Sequence, residues 1–168
     1  MALLLSRTGD AFERQWNAGV DLGYASVSLG DEFYGGLGGG LHLGYGLTDA
    51  YNLMVEVGGS RHSSSKMSGC EDCDALLAGH GGVGVAYTLD VISWVPYLGL
   101  LFGGYRFSGA GMDDPLYKAG FQLALGCDYR PSRHWGVGVQ ARYHTFVDAP
   151  FDAQYLTVFG RFELLWGW

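Results

Sequence analysis

The chain has no long hydrophobic run. No stretch of its 168 residues approaches the roughly 18–20 consecutive apolar residues of a transmembrane helix. If it enters a bilayer it must do so as a closed barrel, the other arrangement that satisfies every backbone polar group in lipid. Basic clusters are also missing. Ten Lys plus Arg stand against seventeen Asp plus Glu, with no cationic run, which excludes nucleic acid as a partner because neutralising phosphates takes clustered cations. Proline is scarce, at 4 residues, and Pro96 is compatible with a strand only by opening one. Disorder is excluded as well: 48% hydrophobic and 15% aromatic residues outweigh the 29 glycines.

What the chain does have is alternation. From Tyr155 to Trp168, one parity is apolar throughout: Leu156, Val158, Gly160, Phe162, Leu164, Trp166 and Trp168. The other carries Arg161 and Glu163. Strand side chains alternate faces, so this is one long strand with an oily side and a side that holds charge. Seven earlier segments repeat the pattern. They run from about Gln15 to Leu29, Tyr34 to Tyr45, Tyr51 to Gly58, Ala75 to Leu89, Val95 onward, Leu116 to Tyr129, and Trp135 to His144. The fifth segment is apolar on both faces, and the favoured phase puts Leu98, Leu100 and Phe102 outward. The outer faces carry one charge, Arg106, at a strand end, and Tyr and Trp gather near strand ends. Arg61 to Asp74 reads as a long polar loop, and Val147 to Ala153 as a loop leading into the last strand. Connections after the second, fourth and sixth strands are tight, and those after the third, fifth and seventh are mostly longer. A soluble barrel would wet its second face with Lys, Glu and Thr; here that face is largely glycine, which suits a crowded interior.

The terminal strand, with Phe162, Leu164, Trp166 and a final Trp168, resembles the closing strand of bacterial outer-membrane β-barrels. The likeness to the small barrels of the OmpA, OmpX and OmpW type covers all eight strands. It implies an all-β, eight-stranded, antiparallel, up-and-down transmembrane β-barrel at residues 15–168, preceded by a periplasmic segment at 1–14. It also implies a bacterial outer-membrane location, with outer-membrane lipid and lipopolysaccharide as surroundings. Phe162, Leu164, Trp166 and Trp168 become the signal read by the barrel-insertion machinery, and loops or rim become places where another envelope protein could dock. Met1 to Leu5 is too short for an intact export signal, so the expectation is a mature or truncated form.

Eight strands enclose an interior just wide enough for side chains. The inward set is Asp21, Glu56, His80, Lys118, Gln122, Gln140, Arg142, Arg161 and Glu163. A buried charge without a partner is costly, so Glu56, Arg142, Arg161 and Glu163 are expected to form a lumen charge network. That network is either a plug or the lining of a narrow, gated path, since inward glycines leave volume for water. Cys70 and Cys73 form a lone CxxC, for which a local loop disulfide is the expected state in an exported protein. No metal or cofactor is expected, because His62 and His80 add no ligand spacing. Cys127 is expected to face lipid. Catalysis is not expected either: His144 and Thr145 face opposite sides, and the His-x-Ser motif of outer-membrane lipid A deacylases is not seen.

Overall fold

The computed structural model describes residues 14–29, 32–64, 75–89, 93–109 and 112–167. Eight strands follow one another: β1 (Trp16–Leu29), β2 (Glu32–Gly46), β3 (Tyr51–Ser64), β4 (Leu76–Thr88), β5 (Trp94–Ser108), β6 (Leu116–Tyr129), β7 (Trp135–Phe146) and β8 (Ala149–Trp166). Each pairs antiparallel with its neighbours in sequence. β1 pairs with β8 from Trp16↔Trp166 to Leu29↔Ala153, which closes the sheet and leaves no edge strand.

The period-two pattern sets which residues face out. Along β8, Leu156, Val158, Phe162, Leu164 and Trp166 are exposed, while Tyr155, Thr157, Phe159, Arg161, Glu163 and Leu165 are buried. β5 takes the phase with Leu98, Leu100 and Phe102 outward and Tyr97 and Leu101 inward. Outward leucines such as Leu22 (74% exposed) and Leu37 (73%) would be untenable as a continuous face in water, and lipid is their natural solvent. One aromatic ring per strand marks the end of the barrel where β1 begins and β8 finishes: Trp16, Tyr45, Tyr51, Tyr87, Trp94, Tyr129, Trp135 and Trp166. Neighbours in this belt touch, with ring centroids at 4.7 Å for Trp16–Tyr45, 5.4 Å for Tyr51–Tyr87 and 4.9 Å for Trp94–Tyr129. Such a belt sits at the headgroup level.

Two strands are longer than the sequence pattern suggests. β3 continues to Ser64, because β2 supplies partners in register as far as Tyr34↔Ser64, and β4 as far as His62↔Leu76, where apolar alternation has ceased. Arg61 therefore faces out as a second lipid-side charge, and His62 is buried in the lumen. β8 begins at Ala149, despite Pro150, so the connection after β7 is the tight turn Val147–Asp148 rather than a loop. A bulge between Thr145 and Phe146 absorbs the change in register.

Side chains fill the interior in layers. One apolar cluster of Val27, Tyr34, Leu76, Tyr105, Phe107, Phe146, Tyr155 and Phe159, with Ala25 and Ala78, lies toward the end opposite the aromatic belt. A smaller one of Met54, Ala86, Tyr97, Leu101 and Ala124 lies nearer the belt. The charged residues lie between and beside these layers.

Candidate functional site

The candidate site is the charged lumen. Arg142 on β7 is 1% exposed, and its Nη2 reaches Asp21 Oδ2 on β1 at 2.7 Å and Glu56 Oε2 on β3 at 3.2 Å. On β8, Arg161 and Glu163 are two residues apart and so share the inner face, where they pair directly. Arg161 Nε also lies 3.5 Å from Asp128 Oδ1 on β6 and 3.9 Å from Asp21 Oδ1. Glu163 Oε2 accepts a further bond from Arg130 Nη2 at 3.2 Å. His42 on β2 sits between the two halves. Its Nδ1 donates to Asp21 Oδ2 at 3.2 Å, and its Nε2 accepts from Arg161 Nη2 at 2.7 Å.

Glu56, Arg142, Arg161 and Glu163 are thus gathered into two pairs, Glu56–Arg142 and Arg161–Glu163, joined through Asp21 and His42. Six strands meet in this assembly. Side-chain parity puts His42 and Asp128 on the inner face, but sequence reasoning did not assign them to the network. Membership depends on height along the barrel, which register fixes: His42 faces Glu56, and Asp21 faces Arg161. Aromatic rings brace both guanidiniums. Arg161 donates to Tyr97 Oη and lies 4.9 Å from its ring centroid, Tyr97 Oη donates to Gln140 Oε1 at 2.9 Å, and Arg142 lies 5.6 Å from the Phe159 centroid. His80 Nε2 adds a longer contact to Glu56 Oε1, at 3.6 Å.

The inward glycines make room for these side chains. A Cβ at Gly19 would stand 2.5 Å from the His42 ring, at Gly58 2.8 Å from His80, at Gly126 2.4 Å from Tyr97 and at Gly138 2.0 Å from Asp128 Oδ1. The volume left by each glycine is therefore taken by a neighbour's ring or carboxylate. A vestibule lined by Asn17, Asn52, Tyr97, Asp128, Arg130 and Glu163 reaches the network from the belt end and holds about 20 Å³, room for about one water.

Toward the other end, Ser60 Oγ lies 2.6 Å from His62 Nε2 and 2.9 Å from Tyr155 Oη, and Tyr105 Oη lies 3.0 Å from His144 Nδ1. The Ser60–His62 pair is buried, and among the described residues no carboxylate orients His62, so the third member of a nucleophile relay is missing. Lys118 is half-buried at the rim and pairs with Asp148 in the β7–β8 turn. Its ammonium holds the Asp148 carboxyl below the ordinary aspartate value. Gln122 is buried in the lumen. Cys127 is a free, half-buried thiol. Phe162, Leu164 and Trp166 lie on the lipid-facing side of β8, while Cys70, Cys73 and Trp168 fall outside the described residues.

A closed antiparallel barrel with a lipid-facing apolar wall, an aromatic belt and a charged interior defines the class as an outer-membrane β-barrel. The chain belongs to the outer membrane protein beta-barrel domain family, whose model matches residues 1–162. It is a bacterial outer-membrane protein and sits among membrane lipid. Among solved structures it is similar to Neisserial surface protein A, with a TM-score of 0.71 and 17% identity over 89% of this chain and 96% of that chain. OprG from Pseudomonas aeruginosa gives a TM-score of 0.63 at 12% identity, covering 95% and 100%. Ail, the attachment invasion locus protein of Yersinia pestis, gives 0.59 at 13% identity, covering 92% and 99%. At these identities the likeness is one of fold. No curated protein matches the chain in sequence.

Proposed function

We propose that this protein is a structural or partner-docking component of the envelope whose lumen is closed by the Arg142–Asp21–Arg161 assembly. The observation that carries this reading is the double engagement of Asp21, which faces both arginines and His42 while almost fully buried. Each arginine has carboxylates on other strands, so opening a path would separate several buried pairs at once, and breaking one such pair costs about 3–5 kcal/mol. The barrel carries no catalytic role in this reading. Its outward ring of Phe162, Leu164 and Trp166 serves the insertion machinery, and loops or rim provide the docking surface for another envelope protein. Liposome swelling with small sugars tests it: vesicles carrying the barrel should swell no faster than empty ones, and solute-dependent swelling would overturn the closed lumen.

A narrow ion path is the second reading. It is favoured by the polar series Glu56, His80, Gln122 and His144, several of whose nitrogens and oxygens have no hydrogen-bond partner in the folded barrel. Such groups are cheaply hydrated if a path exists. Ion-selective conductance that changes in Glu56→Gln would favour this reading over the first.

A further inference from the structure

The outer wall of β2–β5 is not uniformly apolar. Arg61 on β3 and Arg106 on β5 project from the lipid side, and neither has a hydrogen bond or ion pair among the described residues. Between them lies a trough of about 530 Å³. Its floor is the row Gly39↔Gly59↔Gly79, which pairs onward to Arg106, and Leu22, Leu37 and Leu77 form its walls.

Height along the barrel tells what these arginines meet. Tyr51, in the aromatic belt, and Arg61 stand ten residues apart on one strand. That is about 33 Å along the strand and about 25 Å along the axis at a tilt near 40°, the height of the apolar band. Arg61 and Arg106 therefore emerge at the opposite headgroup boundary, above an apolar trough. With the start of β1 and the end of β8 taken as the periplasmic side, that boundary belongs to the external leaflet. Their backbones are separated by two strand spacings and one pleat repeat, about 12 Å, which two extended guanidinium side chains can span. Guanidinium forks suit phosphate bidentately. A second copy of the barrel fits poorly, because among the described strand side chains every carboxylate faces the lumen and the wall offers no anion to the arginines.

We propose that this trough is a binding site for one phosphorylated, acylated lipid of the external leaflet, the lipid A part of lipopolysaccharide. Its phosphate sits between Arg61 and Arg106, and an acyl chain lies over Gly39, Gly59 and Gly79. The proposal rests on the membrane orientation adopted above but not on whether the lumen conducts.

The test uses the full chain in phosphatidylcholine vesicles containing bis-phosphorylated lipid A, with bound lipid read by native mass spectrometry. Wild type should retain one lipid A. R61Q/R106Q should bind more weakly by about tenfold for each arginine removed, and dephosphorylated lipid A should be retained only at background. Gly79→Leu should also reduce retention, since its Cβ meets nothing nearer than 4.0 Å and a side chain there fills the trough without removing charge. Heat-dependent gel migration verifies that each variant is folded. Undiminished retention by R61Q/R106Q or by Gly79→Leu would overturn the site. So would displacement of lipid A by excess inorganic phosphate, or a lipid-free dimer.

Discussion

Arg142 Nη2 lies 2.7 Å from Asp21 Oδ2, which ties β7 to β1 through the lumen although β8 separates them in the sheet. Asp21 also accepts from His42 and faces Arg161, so it has more cross-strand partners than Glu56. Asp21→Ala is expected to destabilise the barrel by about 3–5 kcal/mol in urea unfolding from vesicles. Glu56→Gln should cost less, because Arg142 keeps Asp21. Equal effects of the two would contradict the bridging position of Asp21.

Gly19, which faces the lumen, and Gly104, which faces out, should respond in opposite ways. At Gly19 an added Cβ meets Phe162 O at 2.2 Å and the His42 ring at 2.5 Å, whereas at Gly104 it meets nothing within 4 Å. Gly19→Ala should lose about 1–3 kcal/mol through overpacking. Gly104→Ala should be neutral or gain up to about 1 kcal/mol from reduced freedom of the unfolded chain. Denaturant midpoints of the two variants check this directly.

The lipid-facing wall has a depth scale. Val55 faces out about 13 Å along β3 from Tyr51, near the middle of the apolar band. Val55→Arg should cost about 2–4 kcal/mol, the penalty for arginine at the bilayer midplane. Arg61→Leu should change stability by less than about 1 kcal/mol, since arginine at the boundary costs little. Comparable effects at both positions would mean that the band is misplaced.

At the rim, the Lys118–Asp148 pair gives a titration signature. The Lys118 ammonium lowers the Asp148 carboxyl relative to the unfolded chain. The linked stability is present above the ordinary aspartate value and is lost as pH falls through the lower folded value. Because Asp148 is fully exposed, the effect belongs in an NMR titration rather than a melting curve. Lys118→Gln should move the Asp148 midpoint upward; an unchanged midpoint would contradict the pairing.

Period-two alternation made the barrel legible. It placed both faces of β8, and on β5, whose faces are both apolar, the favoured phase is the one the barrel takes, with Tyr97 and Leu101 buried and Leu98, Leu100 and Phe102 exposed. It failed where pairing rather than burial holds a strand. The polar stretch from Arg61 to Ser64 belongs to β3 because β2 pairs with it throughout and β4 as far as His62, and the start of β8 is hidden behind Pro150. Parity also separated inward from outward charges without giving their height. That is why Asp21 as the link, and His42 and Asp128 as members, emerge only once register sets residues side by side.

The most direct measurement is single-channel conductance of the refolded barrel in a planar bilayer, beside R142Q/R161Q/E163Q. If the buried ion network closes the lumen, wild type gives no steps and the triple variant gives discrete openings. Reproducible steps from wild type would contradict that closure and make the same side chains the lining of a channel.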